Sequence, residues 1–115
     1  MSTHDEMTVP QDQLVAAWRR VLPERLQGGD RAEVLADEAD PRALRVHIRT
    51  AGHQMMEFDF AVRYVDSREI GVELTDVEKD GQTVDERNDV MQELIQDYRR
   101  HLHECAQALH DVTHA

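Results

Sequence analysis

The stretch TVDERNDVMQELIQDYRRHLHECAQALHDVTHA, residues 83–115, decides the reading of this chain. Val84, Met91, Tyr98, Cys105 and Val112 recur every seven residues, and Asn88, Ile95, Leu102 and Leu109 follow the first four of them at a spacing of four. That is a helical seam, apolar except at Asn88. Leu94, Ala106 and Ala108 widen it enough to lie on a sheet. Thr83 with Glu86 forms a capping box, and Asp85 and Glu86 suit the positive end of the helix dipole. No proline or glycine follows Gln82, so one unbroken helix is expected to the end of the sequence. About 30 residues rise about 45 Å, whereas strands of about seven to ten residues reach about 23–33 Å. The helix should therefore outrun its sheet, with Leu102, Cys105, Leu109 and Val112 on the overhang. A second copy in a symmetric contact is the expected cover, which makes those four the expected homodimer interface. The competing cover is the N-terminal helix, folded back through Trp18, Val21 and Leu22.

Working upstream, three segments alternate apolar and polar residues. Leu44, Val46 and Ile48 alternate with Arg45, His47 and Arg49. Met56, Phe58, Phe60, Val62 and Tyr64 alternate with Glu57, Asp59, Ala61 and Arg63, and Ile70, Val72 and Leu74 with Glu69, Gly71 and Glu73. Period two with one polar face means antiparallel strands covered on one side only. A loop over residues 51–53 would set Ile48 opposite Met56, Val46 opposite Phe58, His47 opposite Glu57 and Arg45 opposite Asp59. A loop over 66–68 would set Tyr64 opposite Ile70, Val62 opposite Val72 and Phe60 opposite Leu74. Both keep apolar partners together. Arg31–Asp37 is read as an edge strand. Thr8, Pro10 and Gln11 mark a helix start, with Leu14, Val15, Trp18, Val21 and Leu22 on one face. Pro23 should kink or end that helix, and Gly28-Gly29 should stop it.

The expected fold is therefore α+β: an N-terminal helix, a three- or four-stranded antiparallel meander and a long C-terminal helix, both helices on one face. Residues 1–7 are expected to be disordered and 8–115 to form a single domain. The polar sheet face, with Arg45, His47, Arg49, Glu57, Asp59 and Arg63, is left to water or to a protein partner.

The formal charge is −11, from 24 acidic and 13 basic residues. It argues against binding nucleic acid or anionic membrane, which need positive surface. One cysteine excludes an internal disulfide framework. No signal-peptide pattern opens the sequence, and a cytoplasmic location is expected. The acidic excess is concentrated in residues 66–97, as a mimic of nucleic acid would require.

Four patterns could carry chemistry. Asp76-Val-Glu78-Lys-Asp80-Gly81 resembles the first half of an EF-hand calcium loop, with acidic oxygens at alternate positions and a glycine at the sharp turn. It departs where the closing bidentate glutamate should stand, at Arg87, so Asp76, Glu78 and Asp80 are weak metal candidates and no tight site is expected. Arg45-Val-His-Ile-Arg49 with Asp66-Ser67-Arg-Glu-Ile-Gly71 resembles the arginine pair and Asp/Asn-x-Ser-x-x-Gly loop of cyclic-di-GMP-binding PilZ domains. Asp66 adjoins Ser67 here, Gly71 falls one position late, and too little chain follows for that barrel. His103, His110 and His114 share one helix stripe, and His101 precedes Cys105 by four, spacings that zinc can use; a solvent-side position near the helix end explains the former equally well. His47 beside a carboxylate is a possible acid–base pair on an open sheet.

No catalytic set converges, and no cofactor is expected. The function expected is that of a small cytoplasmic, non-enzymatic interaction module: an adaptor, a regulator or a chaperone-like protein. At the level of architecture alone it is similar to bacterial secretion chaperones. The alternatives are a ligand-binding protein or enzyme with a pocket between helices and sheet, lined by Trp18, Tyr64 and Tyr98, a calcium-dependent module, or the acidic mimic.

Overall fold

The computed structural model describes residues 8–26, 29–50, 56–79, 82–83 and 89–113, without the side chains of 82, 83 and 90. Helix α1 (Gln11–Arg25) is followed by strands β1 (Arg31–Ala36), β2 (Ala43–Arg49), β3 (Met56–Tyr64), β4 (Ile70–Lys79) and β5 (Gln82–Thr83), then by α2 (Asp89–Ala108) and α3 (His110–Thr113). The strands pair antiparallel in chain order. The fold is α+β, a meander of four long strands extended by a two-residue fifth.

Alternation explains the layering. Val46, Ile48, Phe58, Phe60, Val62 and Tyr64 are buried, while Arg45, Arg49 and Arg63 between them are exposed. Leu14, Trp18 and Leu22 of α1 join Met91, Ile95, Tyr98 and Leu102 of α2 over that face in one core. The Tyr98 ring packs 5.1 Å from that of Phe58, centroid to centroid. Buried aromatics also satisfy their polar ends: the Trp18 indole donates to the Tyr64 hydroxyl at 3.1 Å, and the Tyr98 hydroxyl donates to Asp30 at 3.0 Å. Val72 and Leu74 are only partly buried, because just two residues of β5 pair beyond β4.

The β2–β3 register differs from expectation by two residues. Ile48 faces Phe58, Val46 faces Phe60, His47 faces Asp59 and Arg49 faces Glu57, while Arg45 stands opposite Ala61. A slip of two keeps every side chain on its face, so apolar pattern alone cannot resolve it. Thr50 fixes the pairing locally: its amide donates to the Met56 carbonyl at 2.9 Å, and its hydroxyl accepts the Met56 amide at 3.2 Å. The β3–β4 register is the expected one from Tyr64–Ile70 to Phe60–Leu74. A bulge at Thr75 then shifts it, so that Val77 meets Phe58 in the core and Asp76 meets Asp59 outside. The Thr75 hydroxyl donates to the Asp59 carbonyl at 3.0 Å within this bulge.

Both helices differ from expectation at their ends. Pro10 precedes α1 without any side-chain cap, and α1 runs through Pro23 to Arg25. Instead of closing a capping box, the Gln11 amide nitrogen lies 2.8, 3.0 and 2.9 Å from the carbonyls of Asp37, Asp40 and Ala43 and so pins the β1–β2 turn. Gly29 takes a φ of 94°, the left-handed conformation glycine supplies after a helix. Thr83 lies in β5 rather than capping a helix, and its expected partner Glu86 falls outside the described residues, as do Val84 and Asn88.

The C-terminal helix is divided at Leu109. Beyond it, Thr113 is buried and its hydroxyl donates to the Ser67 carbonyl at 2.8 Å. The last turn thus docks on the β3–β4 turn, which Asp66 shapes by accepting the amides of Arg68 and Glu69 at 2.7 and 2.8 Å.

Candidate functional site

The overhang expected at the C-terminal end is absent among the described residues. The 20 residues of α2 rise about 30 Å, and the ten of β4 span about 33 Å. Leu102 and Cys105 are fully buried and Leu109 is 2% exposed, all within the core that α1 completes through Trp18 and Leu22. Of the four residues expected at a dimer interface, only Val112 reaches the surface. The fold-back of α1 is the arrangement adopted, so the stripe needs no second copy to cover it. Trp18, Tyr64 and Tyr98 are buried in the core, Trp18 hydrogen-bonded to Tyr64 and Tyr98 to Asp30, rather than lining a cleft between the layers.

The polar face of the sheet carries the candidate site. Both helices lie on the opposite side, leaving an open concavity of about 450 Å³ lined by Glu33, Leu35, Asp37, Arg45, His47, Asp59, Phe60, Ala61 and Thr75. Leu35 is 43% exposed there, on the edge strand. Three of the six residues assigned to a partner surface are drawn together here: His47 and Asp59 line the concavity, and Glu57 adjoins them through His47. The His47 Nδ1 lies 2.5 Å from Asp59 Oδ1, and its Nε2 lies 2.9 Å from Glu57 Oε1. Arg49 adds a contact to the same Glu57 oxygen at 3.2 Å. Arg45 projects into solvent, 3.9 Å from Asp37. Arg63 lies apart from the cluster, paired with Asp40 at 2.7 Å.

Partial burial alone would lower the basicity of His47; the hydrogen bonds to Asp59 and Glu57, with their charges, outweigh it and raise the imidazole above its ordinary value. Hydrogen bonds from His47 and then Arg49 hold the Glu57 carboxyl below the usual carboxylate range. On β4 the bulge places Asp76 opposite Asp59 and Glu78 opposite Glu57. Like charges directly opposed are unfavourable. Accordingly Glu78 is raised, chiefly by its hydrogen bond with Asp76 and then by burial and by the charges of Asp76, Glu57 and Asp59. Sequence reasoning missed these cross-strand carboxylates because its pairing of β4 stopped at Leu74, whereas the strand continues past the bulge to Lys79.

The remaining candidates assemble no metal site among the described residues. Asp76 and Glu78 lie on β4, and Asp80 lies outside the described residues. No three His, Cys, Asp or Glu side chains converge as metal ligands among the described residues. His101 contacts Glu104 at 2.8 Å, and burial pushes the Cys105 thiol up to about 12. His103 is exposed, and His114 is outside the described residues. Arg45 and Arg49 stand on a paired strand, not on a free arm. No helix among the described residues is long and apolar enough to cross a membrane.

Each side of the sheet is guarded by a helix arginine. Arg19 of α1 donates to the Val34 carbonyl of β1 at 2.9 Å, and Arg99 of α2 donates to the Val72 carbonyl of β4 at 2.7 Å. These contacts occupy backbone acceptors that an added strand would use. No protein-family model, no curated protein and no solved structure matches this chain.

Proposed function

We propose that the protein is a small, non-enzymatic interaction module that docks a protein partner on the uncovered face of its sheet. The observation that carries this reading is the one-sided layering: α1 and α2 both cover the apolar face, and among the described residues nothing covers the face with the concavity around His47. Leu35, Ala61 and Thr75 give that concavity a small-residue and apolar lining, and its rim carries charges of both signs. A rim of that kind selects partners more than it adds affinity. The guarded edges favour docking on the face over strand addition.

The test uses Ala61→Arg and Thr75→Arg, which fill the concavity from outward-facing positions, with Gln96→Arg on the solvent side of α2 as control. Partners captured from the source cells by the wild-type protein should be lost with both face variants and kept with the control. Loss with all three, or retention with all three, refutes docking on this face. A captured second copy of the chain, read by light scattering, would identify the partner as the protein itself.

A further inference from the structure

We infer that His47 is a proton-operated clasp: an imidazolium that ties Glu57 and Asp59 together on the open face and releases them when it loses its proton. With both carboxylates ionised, the geometry calls for a donor at both ring nitrogens, because each lies within hydrogen-bond distance of a carboxylate oxygen, at 2.5 Å for Asp59 and 2.9 Å for Glu57. A neutral imidazole has one N–H and one lone pair, so one of the two carboxylates would face a lone pair. Only the doubly protonated ring serves both ionised partners.

The surroundings favour the same state from every strand that flanks His47. On β1, Glu33 stands directly opposite it. On its own strand Arg45 and Arg49 follow at alternate positions, and Arg49 spends its charge on Glu57. On β3 stand Glu57 and Asp59, and across them on β4 stand Glu78 and Asp76. On this part of the face six carboxylates, Glu33, Asp37, Glu57, Asp59, Asp76 and Glu78, outnumber three guanidiniums, Arg31, Arg45 and Arg49, so an added proton relieves repulsion. The helices contribute no charge here because they pack on the other face.

The sign follows from the two directions of shift. His47 is raised, so its contribution to stability is complete below the ordinary histidine value of about 6.5 and is lost as pH rises through the folded-state value. Glu57 is lowered, so its contribution is present above the ordinary carboxylate range and is lost as pH falls through its folded value. The clasp is closed between those limits. Above the upper one, the Glu57–Glu78 and Asp59–Asp76 pairs lose their shared cation and repel, which opens and further acidifies the concavity. The clasp itself is a property of the free chain; only its effect on a partner rests on the docking reading.

The experiment is an NMR titration of the ring nitrogens and carbons of the full-length protein from about pH 5 to about pH 9, the range over which histidines titrate. His47 should show both nitrogens protonated at neutral pH and a midpoint above that of exposed His103. Glu57→Gln and Asp59→Asn should each lower that midpoint. Thermal melts of the wild type should lose stability as pH rises through it, and His47→Gln should lack that step. A midpoint at or below that of His103 overturns the inference. So does a singly protonated ring at neutral pH, which would place the proton on Asp59. No partner is present in these measurements, so failure of the clasp leaves docking on the face standing, and failure of docking leaves the clasp standing.

Discussion

Replacing Leu102 by alanine separates a core role from an interface role. Leu102 is fully buried within a single chain, in the same core as Trp18 and Leu22 of α1 and Tyr98 of α2. Truncating a buried leucine removes its transfer free energy and leaves a cavity that the neighbours only partly fill, at a cost of about 2–5 kcal/mol. The upper half of that range applies where the surroundings cannot collapse. Trp18 and Tyr98 are held by hydrogen bonds to Tyr64 and Asp30, so the site is poorly able to close, and about 4 kcal/mol is expected. A domain of this length has about 5–15 kcal/mol to lose. At roughly 4 °C per kcal/mol, the melting temperature should fall by about 16 °C. Urea denaturation followed by circular dichroism gives the stability, and light scattering at several concentrations gives the mass. The expected result is a lower midpoint at unchanged mass. A mass that halves while the unfolding free energy stays within about 0.5 kcal/mol of wild type would refute the reasoning, because that is how a surface contact between copies behaves.

Three further outcomes follow from single contacts. Tyr64→Phe leaves the buried Trp18 indole without its acceptor and should cost about 1–3 kcal/mol, with most of that cost absent in a Trp18→Phe background if a double-mutant cycle is run. Thr113→Val keeps the shape but removes the donor to the Ser67 carbonyl; a loss of about 1–2 kcal/mol should appear with faster amide exchange at Val112 and at position 113, whereas unchanged exchange would show that the last turn is not held there. The Cys105 thiol, fully buried and pushed up to about 12, should react with a thiol reagent far more slowly in the folded protein than in denaturant, and equal rates would mean the seam opens readily.

The strands were legible because period two survives any local detail: Val46, Phe58 and Phe60 face inward whichever partner they meet. Register was less legible, since moving β2 by two residues along β3 preserves every face and shifts only which charges meet. The expected pairing gave His47 one carboxylate; the actual one gives it two. The bulge left a readable trace. Apolar positions on β4 step by two through Ile70, Val72 and Leu74, then by three to Val77, and that break in phase marks the extra residue at Thr75. The helix was legible as an amphipathic stripe, but its covering was not. Periodicity shows that Leu102, Cys105 and Leu109 must be buried, and only the path of α1 shows that the chain buries them itself.

The distribution of arginines explains why the open face, and not the sheet's margins, is the surface to test. Arg19 and Arg99 come from different helices and reach opposite sides of the sheet, yet each donates to one outward carbonyl of β1 or β4. A strand added at either side would have to displace a charged donor from its acceptor. Hydrogen bonds to charged groups are worth about 1.5–3 kcal/mol, enough to weaken a modest added strand by one to two orders of magnitude. Among the described residues no such barrier stands over the face. There the charges pair within the sheet, through His47, Arg49 and Arg63, and Leu35 and Ala61 lie among them at the concavity. Replacing Arg99 by alanine tests this division directly. It should promote self-association through β4, seen as larger species by light scattering. An Arg99→Ala protein that stays at wild-type mass at high concentration would show that the arginine guards nothing.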